Sequence, residues 1–123
     1  VPLFAQKGKP GRGGSTGGCA VVTTPTLSTE SASPGMNVGV FGRIGNCAGG
    51  KKRYTVRVSS MSSCSLETVV SSSVVTFSGG EYKLISVAYP IAPGTCVGPM
   101  SVTLGVYESS LMLASGSATL MVQ

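Results

Sequence analysis

Lys52-Arg53-Tyr54-Thr55-Val56-Arg57-Val58-Ser59 changes character at every step, with Tyr54, Val56 and Val58 set against Thr55, Arg57 and Ser59. A two-residue period marks a strand with one buried and one solvated face. Outward from this stretch the pattern recurs in short runs separated by Gly, Pro and Ser clusters, and no segment sustains a 3.6-residue apolar period. The chain is therefore read as all-β, with strands spaced as in a two-sheet sandwich. Seven strands are expected: Cys19–Ser28 (broken at Pro25), Met36–Ile44, Lys52–Ser59, Leu66–Phe77, Tyr82–Tyr89, Met100–Tyr107 and Leu111–Val122. The inward faces are read as Met36, Val38, Val40 and Ile44; Ile85, Val87 and Tyr89; Val102, Leu104 and Val106; and Ala118, Leu120 and Val122. The run Ser71-Ser72-Ser73 is a candidate break in the fourth strand.

The composition excludes more than it identifies. The 123 residues suffice for one domain with one core. Charged residues are only 11% of the chain, well below the roughly 25% of an average globular protein. There is no His, no Asp and no Trp. Without His no Ser-His or Cys-His nucleophile pair forms. Without Asp a calcium cluster is not expected, and the spacing of the cysteines is not that of a zinc site. The four Glu lie in separate segments: Glu30, Glu67, Glu81 and Glu108. They are read as solvated turn residues and not as a glycosidase pair. No enzyme, metal or cofactor is expected.

Cys19, Cys47, Cys64 and Cys96 are an even set in a small Ser/Thr/Gly-rich chain. They read as two disulfides formed in an oxidising compartment, with three connectivities open. The opening Val1-Pro2-Leu3-Phe4-Ala5-Gln6 resembles the end of a secretory signal, with Ala5 as the residue before cleavage. Residues 7–18, KGKPGRGGSTGG, hold six Gly, one Pro and three basic residues. They cannot bury enough apolar area to offset their ordering entropy, and they read as a linker. The domain plan is an N-terminal extension over residues 1–18 and one β domain over 19–123. No apolar stretch approaches the ~20 residues of a membrane-spanning helix.

Ser33-Pro34-Gly35-Met36, Asn46-Cys47, Gly79-Gly80-Glu81, Ile91-Ala92-Pro93-Gly94 and the terminal Ala118-Thr119-Leu120-Met121-Val122 punctuate the strands. In this order they resemble the secreted bacterial immunoglobulin-like modules, the fibronectin type III and CARDB-like domains among them. The resemblance covers residues 19–122 and implies a seven-stranded sandwich. It also implies a disulfide pairing. Successive strands of such a sandwich run between two ends, which puts Cys19 with Cys47 at one end and Cys64 with Cys96 at the other. Cys19–Cys47 and Cys64–Cys96 is the connectivity that joins matching ends within disulfide reach.

The net charge of +5 is concentrated. Lys7, Lys9 and Arg12 lie in the extension, and Lys51, Lys52 and Arg53 form a run at the pole from which the extension departs. These six define a candidate anion-binding or docking pole, with Glu81 and Glu108 as partial balance. Interleaved aromatics, the mark of nucleic-acid modules, are missing there, and no specific nucleic-acid partner is expected. Phe41, Tyr82 and Tyr107 face outward, but nothing sets them side by side as a sugar platform. Val1, Leu3 and Phe4 form an apolar patch on a Gly-rich tether, fit to contact a neighbouring copy. The resulting expectation is a secreted, structural, self-assembling subunit of an extracellular filament or surface layer, linked through its N-terminal extension. The alternative is a secreted binding module for polysaccharide or another anionic surface polymer.

Overall fold

The computed structural model describes residues 18–123, and of residues 65 and 66 the backbone alone. The extension, with Val1, Leu3, Phe4, Lys7, Lys9 and Arg12, lies outside the described residues. What is described is all-β. The strands are β1 (Ala20–Val22), β2 (Thr26–Leu27), β3 (Ser31–Ala32), β4 (Asn37–Asn46), β5 (Lys52–Ser62), β6 (Ser65–Phe77), β7 (Tyr82–Pro90), β8 (Gly98–Glu108) and β9 (Leu111–Val122). They form two sheets. In one, β7 runs antiparallel along β4 from Asn37 to Gly45, so β1 and β2 share the other edge of β4. The second has the order β3-β9-β8-β5-β6.

Nine strands replace the seven expected, for local reasons. The first expected strand is two, β1 and β2, with Pro25 buried between them. A proline there has no N–H to offer the ladder. The ladder bridges part of the gap through Thr23, whose N–H donates to Arg43 O at 3.0 Å. The added strand is β3, two residues long and parallel to β9, which carries the chain from the first sheet to the second. Ser71-Ser72-Ser73 does not split β6. The irregularity nearest that run is a bulge one residue earlier: Val58 opposes Ser71 while Ser59 opposes Val69, leaving Val70 without an opposite residue, and a second register shift falls between Ser60 and Ser62.

Both sheets contribute to one apolar core. Val38, Val40 and Ile44 of β4 and Tyr89 of β7 meet Tyr54, Val56 and Val58 of β5, Val102, Leu104 and Val106 of β8, and Leu120 and Val122 of β9. Ile85 and Val87 pack against it partly buried, as the period-two reading requires. Met36 does not join them and is 47% exposed. It closes a turn instead, its N–H donating to Ser33 O at 3.1 Å, after Gly35 takes a φ of 93°. The sheets approach closely at Gly42, where a Cβ would collide with the Leu104 side chain.

Candidate functional site

The pole at which the described chain begins is held by the Cys19–Cys47 disulfide, with Cα atoms 5.0 Å apart. Beside it the Cys47 N–H donates to Cys19 O at 2.9 Å. Beneath it lies Asn46, fully buried at the end of β4. Its Nδ2 donates to Gly50 O and to Ser78 O, each at 3.0 Å, and so ties two loops together. Its Oδ1 accepts from the Ala48 N–H at 3.0 Å and from the Tyr54 hydroxyl at 2.9 Å. That hydroxyl in turn accepts from the Cys19 N–H at 3.1 Å. A buried amide with every polar atom paired fixes this pole, because each lost partner would leave an orphan away from water.

Glu108, the last residue of β8, faces the entering chain. Its Oε1 accepts from the Gly18 N–H at 2.7 Å, and its Oε2 pairs with Lys52 Nζ at 3.2 Å. A Cβ on residue 18 would stand 2.8 Å from that Oε1 and 2.9 Å from Leu113 Cδ1, so a larger residue would have to displace the ends of those two side chains. Of the expected basic pole, the structure therefore brings Lys52 onto Glu108, while Lys51 and Arg53 are exposed. Glu81 is used locally: its Oε1 accepts from the Ser78 N–H at 2.8 Å across the tight turn before β7.

The opposite pole carries the Cys64–Cys96 disulfide, with Cα atoms 6.3 Å apart. It borders an open cleft of about 530 Å³ between the end of the β5–β6 hairpin and the loop that follows β7. The cleft is lined by Ser60, Met61, Tyr89, Thr95 and Met100 among others. At its base the Tyr89 hydroxyl donates to Ser60 Oγ at 3.0 Å. The sequence reading did not find this cleft, because its walls come from loops far apart in the chain.

The outer faces differ in chemistry. On the first sheet Val21, Phe41, Tyr82 and Leu84 are exposed, and Leu84 is 79% exposed. Phe41 and Leu84 line a shallow groove of about 430 Å³ together with Thr23, Thr26, Arg43 and Ser86. Phe41 opposes Ser86 and Tyr82 opposes Gly45, four residues further along the ladder, so the two rings do not share a platform. On the second sheet Tyr107 is half-buried and lies beside Gly105. The Arg57 guanidinium sits 4.6 Å from its ring centroid, an arrangement that occupies the ring. Around them the face is hydroxyl-rich, with Thr103 and Ser117 bonded at 2.8 Å.

Among the described residues no group of His, Cys, Asp and Glu is placed to hold a metal ion. No helix among them is long and apolar enough to cross a membrane. Two disulfides are the chemistry of an oxidising, extracellular setting.

No family model and no curated protein matches the chain. Solved structures do. An alkylpurine DNA glycosylase from Pseudomonas fluorescens, bound to DNA containing an abasic site analogue, superposes with a TM-score of 0.73 at 14% identity, over 88% of this chain and 31% of its own. A β-glucosidase from Erythrobacter marinus gives 0.68 at 12% identity, over 86% of this chain. A β-glucosidase from Listeria innocua in complex with glucose gives 0.68 at 13% identity, over 85%. This chain spans only 16% of the length of either β-glucosidase. At such identities the likeness is one of fold: the architecture recurs as a portion of longer, otherwise unlike chains.

Proposed function

We propose that this chain is an immunoglobulin-like β-sandwich module with no catalytic role. It acts outside the cell as a subunit of a filament or surface layer and contacts its neighbours through the N-terminal extension. The observation that carries the reading is the apolar outer face of the β4–β7 sheet. Phe41 and Leu84 stand exposed on a groove at an edge that, among the described residues, no other strand covers. The edge also has free backbone groups. Asn46 N–H donates to Glu81 O and Ile91 N–H donates to Met36 O at the two ends of the ladder. The antiparallel alternation between them turns the N–H and C=O groups of Tyr82, Leu84, Ser86 and Ala88 outward. An extended peptide adds to such an edge through backbone hydrogen bonds and seats alternate side chains in the groove. Val1 and Leu3 of a second copy, spaced from its domain by the Gly-rich stretch, supply those alternate side chains, with Phe4 on the opposite face of the added strand. A contact between two different surfaces repeats head to tail, which generates a fibre.

The test is removal of residues 1–17. The truncated chain is expected to keep its far-UV circular dichroism and to form no fibres, while the full chain forms fibres visible by electron microscopy. Phe41→Ser with Leu84→Ser in the full chain is expected to have the same effect. Fibres from the truncated chain refute the reading.

Binding of an anionic polymer or polysaccharide is the second reading, favoured by exposed Lys51 and Arg53 near one pole of a hydroxyl-rich sheet face. It predicts that the monomer is retarded on an acidic polysaccharide column at low salt and released when Lys51 and Arg53 are changed to Glu. The fibre reading predicts no retardation beyond that of any protein of this charge.

A further inference from the structure

Strand β6 is an edge of the five-stranded sheet, at the end opposite β3. Among the described residues it pairs with β5 and with no other strand. Ser65–Phe77 contains no Pro, Gly, Lys or Arg, so charge and proline, which commonly blunt an exposed edge, are missing apart from Glu67. The Glu67 carboxylate accepts a hydrogen bond from Ser59 Oγ at 3.0 Å. Two valines on this strand, Val69 and Val74, are 53% and 58% exposed.

The arrangement of these residues is symmetric about Ser72. Residues 68–76 read TVVSSSVVT, the same in both directions, and the bulge shifts which of them stand at equal distance from the centre, leaving the symmetry to the middle of the strand. On β5 the residues opposite Val74, Ser72 and Val69 are Thr55, Arg57 and Ser59, which are evenly spaced and point to one face. Because Val70 is the extra residue, Ser72 is the midpoint between the two exposed valines, although the sequence spacings are unequal. Ser73 and Ser71 flank it at equal steps on the other face, opposite Val56 and Val58, and Val75 and Thr68 follow, opposite Tyr54 and Ser60. An edge strand with this symmetry is complementary to its own copy. In an antiparallel pair about a two-fold axis, Ser72 meets Ser72, Ser71 meets Ser73 and Val74 meets Val69, so at the centre like faces like, while beyond them Val75 meets Thr68.

We infer that β6 is a homotypic interface: two copies of the chain pair along this edge about Ser72, joining their five-stranded sheets into one. The occupant is a second copy and not an unrelated strand, because the two-fold arrangement of valine and serine serves only a partner that carries it in reverse. The contact does not use the N-terminal extension, so it goes beyond the assembly proposed above. It closes a pair, where the extension would propagate a chain.

The experiment uses the full chain with Ser72→Cys under a mild thiol–disulfide buffer. Residues directly opposite in an antiparallel pair have Cα atoms roughly 4.5–5.5 Å apart, within disulfide range. A covalent dimer linked through position 72, established by peptide mapping, is expected. The same substitution at Ser86, exposed on β7, is expected to give at least about tenfold less. A second measurement leaves the four native cysteines alone. Ser72→Lys puts like charges face to face at the axis and is expected to weaken dimerisation in sedimentation by about tenfold or more. Cross-linking at position 72 no faster than at position 86, or sedimentation unchanged by Ser72→Lys, overturns the inference. Neither readout depends on fibre formation: loss of fibres on removing residues 1–17 with cross-linking retained separates this interface from the extension contact.

Discussion

Replacing Asn46 by alanine removes four hydrogen bonds from a residue with no solvent exposure. They do not weigh equally. Gly50 and Ser78 belong to exposed turns, and water can replace the lost amide at their carbonyls. The Ala48 N–H and the Tyr54 hydroxyl lie deeper, and each orphaned buried group costs about 1–3 kcal/mol. Tyr54 keeps part of its bonding, since Cys19 O lies 3.1 Å from its hydroxyl. The expected loss for Asn46→Ala is therefore about 2–4 kcal/mol. Tyr54→Phe should cost about 1–2 kcal/mol, because it strips the Cys19 N–H of its acceptor and Asn46 Oδ1 of one donor. The bond between the two side chains is counted in both single changes, so the double variant should fall short of their sum by about 1 kcal/mol. Asn46→Asp keeps the shape but turns an oxygen toward the Gly50 and Ser78 carbonyls, and is expected to cost at least as much as alanine. The assay is urea unfolding with disulfides intact, followed by tyrosine fluorescence and far-UV circular dichroism, whose coincidence checks two-state behaviour. A loss below about 1 kcal/mol for Asn46→Ala, or additivity within about 0.5 kcal/mol for the pair, would mean that this network does not hold the pole.

The two cross-links close loops of similar size, with sequence separations of 28 and 32. Removing either pair by Cys→Ser should cost about 3–4 kcal/mol in the chain-entropy model, read as the shift in urea midpoint multiplied by the slope. Gly42→Ala drives a methyl into Leu104 and should cost about 1–3 kcal/mol, with Leu104→Ala in the same chain recovering part of that cost. Measured losses that simply add would show that the sheets do not touch there. Glu108→Ala should speed hydrogen exchange at the Gly18 amide while changing the melting temperature little. The ion pair with Lys52 is partly exposed, with side chains at 21% and 29%, and pairs of this kind contribute about 0–1 kcal/mol.

The long strands were legible because each has one wet face. The core residues of β5 and β8 and both limits of β9 could be read from side-chain type, while β5 continues three residues beyond its expected end to Ser62 and β8 runs from Gly98 to Glu108. The short elements were not: β3 has two residues, too few for any period, and exists because Met121 and Gln123 donate to Glu30 and Ala32 across the sheet. Pro25 announced its break, since a missing N–H is a local property. The Val70 bulge was hidden, because serine and valine succeed one another there without marking which residue lacks a partner. At the poles, the resemblance correctly implied which cysteines meet. It did not imply that Asn46, read only as part of the punctuation between two strands, is the buried centre of four hydrogen bonds. That role depends on Gly50, Ser78 and Tyr54 arriving together, which only the tertiary fold arranges.

The Cys19–Cys47 disulfide has a mechanical consequence. Tension drawing Gly18 away from Gln123 passes from Cys19 straight to Cys47, so residues 20–46 form a covalently closed loop outside the path of the load. Strands β1 to β4 lie in that loop and are spared a direct pull while the bond stands. Reduction of that one bond would place all four in the path of the force.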